Sequence, residues 1–257
     1  MIREAFDWIL TSAWPPARKM GHVGQFVSIA ARRRRNRAAW AMHEARTKAA
    51  ILRACDADKS RECAVLLGAG HADDVPVAEL SSAYQKLRLV DVAISLETRR
   101  LAAKLGNVEC VIADVTQSLH HLPEVRQPKL MLEETEISFV ASVNLLSQLP
   151  NVATRHMEDE ETHPIAQAMI EAHLAWLLAF NCPVSLICDK RIEVYDRSDE
   201  LVGAIDPAHG IALPPEDESW IWKIAPFGEI EKDHRVIHHV MAIDDLHNAT
   251  SGENMHG

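Results

Sequence analysis

A few short stretches of this chain hold residue types that could do chemistry together. Leu67-Gly68-Ala69-Gly70-His71 is a glycine-spaced turn; without Cβ atoms at two of its positions, its backbone N–H groups can approach a ligand closely. Asp91 lies 23 residues beyond Gly68, where an acid meets ribose hydroxyls in nucleoside-binding folds. Asp114 is placed to accept from an adenine amino group, with Val115 covering the ring. Asn144 and Gln148 follow a further apolar run, where they either orient a substrate or cap the strand end and the next turn.

These groups can meet only if the segments before them end at one edge of a sheet. Cys63 to Leu67 is a short apolar run closing on Gly68, the pattern of a buried parallel strand. Leu87 to Val92 and Val108 to Ala113 repeat it, each followed or closed by an acid, and Ile137 to Val143 and Pro183 to Cys188 supply a fourth and a fifth strand, the last ending in Asp189. Helices are expected from Pro76 to Tyr84 and from Leu96 to Leu105, stopped by Gly106-Asn107. A further helix capped by Thr162 carries the stripe Ile165, Met169, Ala172 and Trp176. One irregular helix is expected between Leu119 and Leu132. Strands alternating with helices imply a parallel sheet covered on both faces. Ligands of such sheets bind beyond the carboxyl ends of the strands.

The last sixty or so residues lose the alternation. Ile192 to Tyr195 and Leu201 to Ile205 flank a polar turn, and Trp220 to Ala225 and Arg235 to Ile243 make two more strands. The expected fold is therefore α/β: a Rossmann-like, seven-stranded, mostly parallel sheet with helices on both faces, a closing antiparallel hairpin and an N-terminal helical arm. The boundaries read as 1–57 for the arm, 58–246 for the sheet domain and 247–257 for a disordered tail.

The arm has one short helix and a loop to residue 25, then a long helix from Phe26 to about Ala54, free of Pro and Gly, with Trp40, His43, Thr47, Ile51 and Ala54 at helical spacing. Residues 1–53 hold eleven Lys/Arg against three Asp/Glu, and the remaining 204 hold sixteen against thirty-four. A basic arm on an acidic body suits either docking or an anionic partner. Arg32, Arg33, Arg34, Arg35 and Arg37 circle too much of the helix to be buried together, so a solvated face, contact with an anion and docking all stay open. Nucleic acid is disfavoured by the acidic body but not excluded. The five cysteines include no CxxC pair, no stretch reaches the roughly 20 apolar residues of a membrane span, and no secretory signal is evident; a cytoplasmic location is expected.

The site residues resemble those of class I S-adenosylmethionine-dependent methyltransferases. Val65-Leu66-Leu67-Gly68-Ala69-Gly70 looks like that family's first motif, Leu89-Val90-Asp91 its second and Ile112-Ala113-Asp114-Val115 its third. Ser142-Val143-Asn144-Leu145-Leu146 falls where the fourth follows strand four, and the likeness spans about residues 60–245. It implies S-adenosylmethionine as cofactor, held by Gly68, Ala69, Gly70, His71, Asp91, Val92, Asp114, Val115 and Asn144. Asn144 and Gln148 then stand on the substrate side, and the acceptor is a small or peptide-like molecule. The chain departs from the pattern at Ala72, where a third glycine is usual, and at Asp73-Asp74. Two acids there disfavour a pyrophosphate and tolerate a sulfonium cation; Asp73 reads equally as a helix N-cap.

Two other function classes remain. A methyltransferase-like module without chemistry fits the altered glycine motif, and a nicotinamide-dependent oxidoreductase fits less well, lacking a Tyr-x-x-x-Lys proton donor. The 14 histidines show no HExxH spacing, so no metal site is expected. His163 and His173 read as structural or surface residues. Asp189 binds substrate or pairs with a neighbour such as Arg191. Trp220 and Trp222 share one face of a strand, in the core or as a pocket wall.

Overall fold

A computed structural model of the chain describes residues 2–155, 157 and 159–253. Its centre is an eight-stranded sheet. The strands are β1 (Cys63–Leu67), β2 (Lys86–Asp91), β3 (Val108–Ile112), β4 (Ile137–Val143), β5 (Val184–Tyr195), β6 (Leu201–Ile205), β7 (Glu218–Ala225) and β8 (Arg235–Ile243). Their order is β3-β2-β1-β4-β5-β8-β7, with β6 paired to the far half of β5. The first five run parallel, while β8 enters antiparallel between β5 and β7. This is the doubly wound sheet with a closing antiparallel hairpin expected from the alternation of apolar runs.

Every residue of β1 and β4 is buried, so both faces must be covered, and the alternation of side chains along a strand divides the core in two. Ala64 and Leu66, with Phe139 and Ala141, pack beneath the arm and α4 (Val77–Ala83). Cys63, Val65 and Leu67, with Val140, face α7 (Asp159–Leu177), which follows the short α6 (Leu149–Ala153), through Met169, Ile170 and Trp176. On α5 (Leu96–Leu105) the Ser95 hydroxyl accepts from the Thr98 N–H, and Gly106 ends the helix at φ +80°. Both ends are local devices.

The arm comprises α1 (Ile2–Leu10), α2 (His22–Arg35) and α3 (Arg37–Ala54). The single long helix expected from Phe26 starts earlier and breaks at Asn36, whose φ of −112° leaves the helical region. The Asn36 amide donates to the Arg32 carbonyl and to Glu229 Oε2, closing α2 on itself and tying it to the body. From α3, Trp40 is buried against Trp222 and donates its indole N–H to the Ile224 carbonyl.

Four further expectations need correction. Strand five does not stop at Asp189: β5 runs on to Tyr195, passing a bulge in its ladder with β8 and absorbing the separate strand expected from Ile192; the sheet holds eight strands where seven were expected. Between Leu119 and Leu132 the chain makes turns and no helix; Pro123 and Pro128 interrupt it, and the Ser118 hydroxyl accepts from the Arg126 N–H across the loop. Thr162 lies inside α7 rather than at its cap. The expected disordered tail begins as α8 (Leu246–Glu253), anchored by buried Leu246, and 254–257 fall outside the described residues. No helix among the described residues is long and apolar enough to cross a membrane.

Candidate cofactor site

β1, β2 and β4 end together, and the loops beyond them open into one cavity of about 1230 Å³, part of it open to solvent. Gly68, His71, Asp91, Val92, Asp114, Val115, Asn144 and Gln148 all line it. Ala69 is fully buried behind the wall, and Gly70 is buried beside it.

The glycine turn is shaped by close backbone contact. Gly68 has φ +81°, and a Cβ there would stand 2.4 Å from the Val143 carbonyl oxygen. A Cβ on Gly70 would meet the Ala93 carbonyl at 2.2 Å, the Phe26 ring at 2.6 Å and Asp91 Oδ2 at 2.8 Å. Neither position has room for a side chain. Ala72 also lies in the left-handed region, at φ +55°, which explains why glycine would be the comfortable residue there.

Asp91 joins the turn to β2: its Oδ2 accepts from the Gly70 N–H at 2.9 Å, and its Oδ1 from the Ala93 N–H at 3.3 Å. Burial pushes its carboxyl up to about 6, against the pull of these backbone donors. Asp114 is more heavily committed. Its Oδ1 accepts from the Thr116 hydroxyl and N–H, and its Oδ2 from the Leu119 N–H, so it shapes its loop as well as lining the cavity.

His71 lines the cavity and also joins the turn to the arm. Its Nε2 lies 2.9 Å from the Phe26 carbonyl, and its ring stacks on Phe26 at 3.6 Å, so it serves as the contact between turn and arm. Asn144, at φ +49°, donates from Nδ2 to Asp74 Oδ2 at 2.8 Å and lies 3.1 Å from His43 Nε2. Gln148 donates to the Asn144 carbonyl, which holds the turn after β4.

The arm forms the opposite wall, contributing Phe26, Arg33, Trp40, His43 and Glu44. His43 is buried; its Nδ1 accepts the Trp220 indole N–H and its ring stacks on Trp222 at 3.9 Å. Burial lowers its pKa to about 3, so it is neutral. Asp73 does not cap a helix: α4 begins only at Val77, and Asp73 pairs with Arg33 at 3.2 Å. Burial pushes the Asp73 carboxyl up to about 6, and Asp74 is likewise raised.

The arginine run lands on the chain's own acids. Arg33 grips Glu44, Arg34 grips Asp7, and Arg32 and Arg35 meet Glu229, while Arg37 is exposed. Asp189 lies mid-strand and buried; it accepts from the Ser147 hydroxyl and stands 3.0 Å from His238 Nδ1, while Arg191 pairs with Glu193 instead. Trp222 lines the cavity and Trp220 supports His43. His173 is buried, 3.0 Å from the Ser142 hydroxyl; His163 approaches His209.

Asp74, Glu44, Arg33 and His43 were not singled out for the site by spacing. The odd double acid was the one signal toward Asp74. The helical stripe through Trp40 and His43 pointed to docking, without showing where.

No protein-family model matches the sequence, and no curated protein matches it. Solved structures of similar shape exist. A DhpI complex with S-adenosylmethionine is 14% identical, covering 84% of this chain and 95% of its own at a TM-score of 0.36. A methyltransferase of Aquifex aeolicus, described as S-adenosylmethionine-dependent, is 13% identical over 74% and 87%, with a TM-score of 0.33. The Burkholderia thailandensis 1,6-didemethyltoxoflavin-N1-methyltransferase is 14% identical over 76% and 78%, with a TM-score of 0.35.

Proposed function

We propose that this chain binds S-adenosylmethionine at the carboxyl edge of its sheet and transfers the methyl group to a small or peptide-like acceptor beneath the arm. The observation that carries the reading is the coupling of Gly70 to Asp91: a turn too tight for any Cβ holds a half-buried carboxylate that faces the cavity. That pair suits a nucleoside, with Asp91 accepting from ribose hydroxyls and Val92, Val115 and Leu149 offering apolar walls to a base. Bound there, the cofactor supplies an electrophilic methyl group on a sulfonium centre. A cation suits a cavity whose walls carry five carboxylates, those of Glu44, Asp73, Asp74, Asp91 and Asp114.

The protein's contribution is positional: the turn and the arm hold two reactants in line and keep water out. The five cysteines are all free, which fits the reducing cytoplasm we propose as its location. Calorimetry with S-adenosylhomocysteine tests the cofactor claim. Wild type should bind and Asp91→Asn should lose at least tenfold in affinity; a folded wild type that gives no heat removes the reading.

A further inference from the structure

We propose that the methyl acceptor is an amine, bound as its ammonium by Asp74, which then takes its proton. This rests on the methyl-transfer reading above and names the class of molecule that site would accept.

Three of the five cavity acids have no cation among the described residues: Asp91 and Asp114 are held by backbone N–H donors instead, which leaves Asp74. Arg33 is committed to Glu44 at 2.6 Å and to Asp73 at 3.2 Å. Among the described residues no Lys or Arg nitrogen lies within 4.0 Å of Asp74; it meets the Asn144 amide at 2.8 Å and uncharged His43 at 4.0 Å. Its side chain keeps 25% of its surface exposed, and it lines the cavity. A carboxylate so placed gains most from a ligand that brings its own positive charge.

Three unpartnered polar atoms stand on the cavity walls, His22 Nε2 and two on residues nine-tenths buried. Asn144 Oδ1 and the Trp222 indole N–H are buried without hydrogen-bond partners, on residues that are each only 7% exposed. They offer an acceptor and a donor to a polar ligand. Trp40, Trp222 and Phe26 supply aromatic surface around them, which favours a cation carried on an apolar body.

Valence shows where the proton goes. The Trp220 N–H donates to His43 Nδ1, so neutral His43 carries its own proton on Nε2. That N–H faces the Asn144 amide at 3.1 Å. While Asp74 is ionised, Asn144 donates to it and two donors confront each other across this gap. When Asp74 gains a proton, half a turn of the amide lets Oδ1 accept from both Asp74 O–H and His43 Nε2–H. The step balances: one N–H bond of the ammonium breaks, an O–H bond forms on Asp74, and the lone pair left on nitrogen is the nucleophile.

Other charges facing Asp74 are Glu44 and Lys48 from α3, Asp73 from the turn, Asp91 from β2 and Arg33 from α2. Burial raises the Asp74 pKa and Glu44 raises it further, while the Asn144 hydrogen bond and Lys48 oppose. An ammonium ligand lowers it, so binding should release a proton and strengthen as pH rises through the raised value.

The test is titration calorimetry on protein saturated with S-adenosylhomocysteine, in two buffers of different ionisation enthalpy. Phenethylamine is the probe, with 3-phenylpropanol and 3-phenylpropionate as neutral and anionic counterparts. Phenethylamine should bind at least tenfold more tightly than either, with proton release, and Asp74→Asn should abolish that preference while leaving S-adenosylhomocysteine affinity unchanged. Equal or absent binding of the amine overturns the proposal. So does an Asp74→Asn variant that keeps the amine preference and loses S-adenosylhomocysteine, since Asp74 would then serve the cofactor. Failure of wild type to bind S-adenosylhomocysteine at all is a different result and removes the cofactor reading.

Discussion

Asp91→Asn should stabilise the ligand-free protein near neutral pH while weakening S-adenosylhomocysteine binding at least tenfold. In the native state the Asp91 carboxyl is raised by burial from 3.8 to about 6, a shift worth about 3 kcal/mol. The sign is that of a raised acid. Between these two values the native state holds a proton that the unfolded state has lost, so stability falls as pH climbs through that window and stays low above it. Asparagine carries no charge and escapes this cost. It also loses something, because Gly70 and Ala93 donate to opposite oxygens of Asp91. An amide offers one acceptor for the two donors, and the unmatched N–H costs about 1–2 kcal/mol. The variant should therefore be more stable than wild type by about 1–2 kcal/mol at pH 7 and less stable by a similar amount at pH 3.5. Urea denaturation at the two pH values reads the difference directly. A variant that is less stable at both, by the same amount, would refute the view that Asp91 is held charged at the expense of the fold.

Two further outcomes follow from contacts of known geometry. Gly70→Ala must drive its Cβ into the Ala93 carbonyl, 2.2 Å away, and into Phe26 and Asp91; a loss of more than about 3 kcal/mol in denaturation and of measurable S-adenosylhomocysteine binding is expected. The arm should depend on packing more than on charge: Trp40→Ala, at a residue 4% exposed, should cost about 3–5 kcal/mol. Arg53→Ala, which removes ion pairs to Glu218 and Asp244 from a side chain 41% exposed, should cost no more than about 1 kcal/mol.

The centre of the sheet was legible because β1, β2 and β4 are buried on both faces and so read as unbroken apolar runs, each stopped by Gly68, Asp91 or Asn144 at the edge where the cavity opens. The break at Asn36 was not. Ala- and Arg-rich sequence favours helix on both sides of it, and the contact that ends α2 comes from Glu229, 193 residues away. The same holds for Asp189, which looked like a strand end because a buried acid is costly; Ser147 and His238 meet it from distant segments and let β5 continue. In the site, the glycines and Asp91 could be placed from spacing since their task is set by local backbone. His43 meets Asn144 across 101 residues, and nothing in either neighbourhood announces the other.

The charge asymmetry of the chain acquires a specific meaning once the arm is in place. An acidic cavity wall alone would attract any cation, and five carboxylates in one pocket would repel one another. Arg33 changes that balance, since by pairing with both Glu44 and Asp73 it ties α2, α3 and the glycine turn together and neutralises acids on two sides of Asp74. The arm thus closes the cavity with hydrophobic contacts through Trp40 and leaves Asp74, with Asp91 and Asp114, uncovered by its cations. Positive charge at Arg32 to Arg35 is largely spent inside the chain. A nucleic-acid surface draws on guanidinium groups free for phosphates, and these four already meet acids of the chain itself.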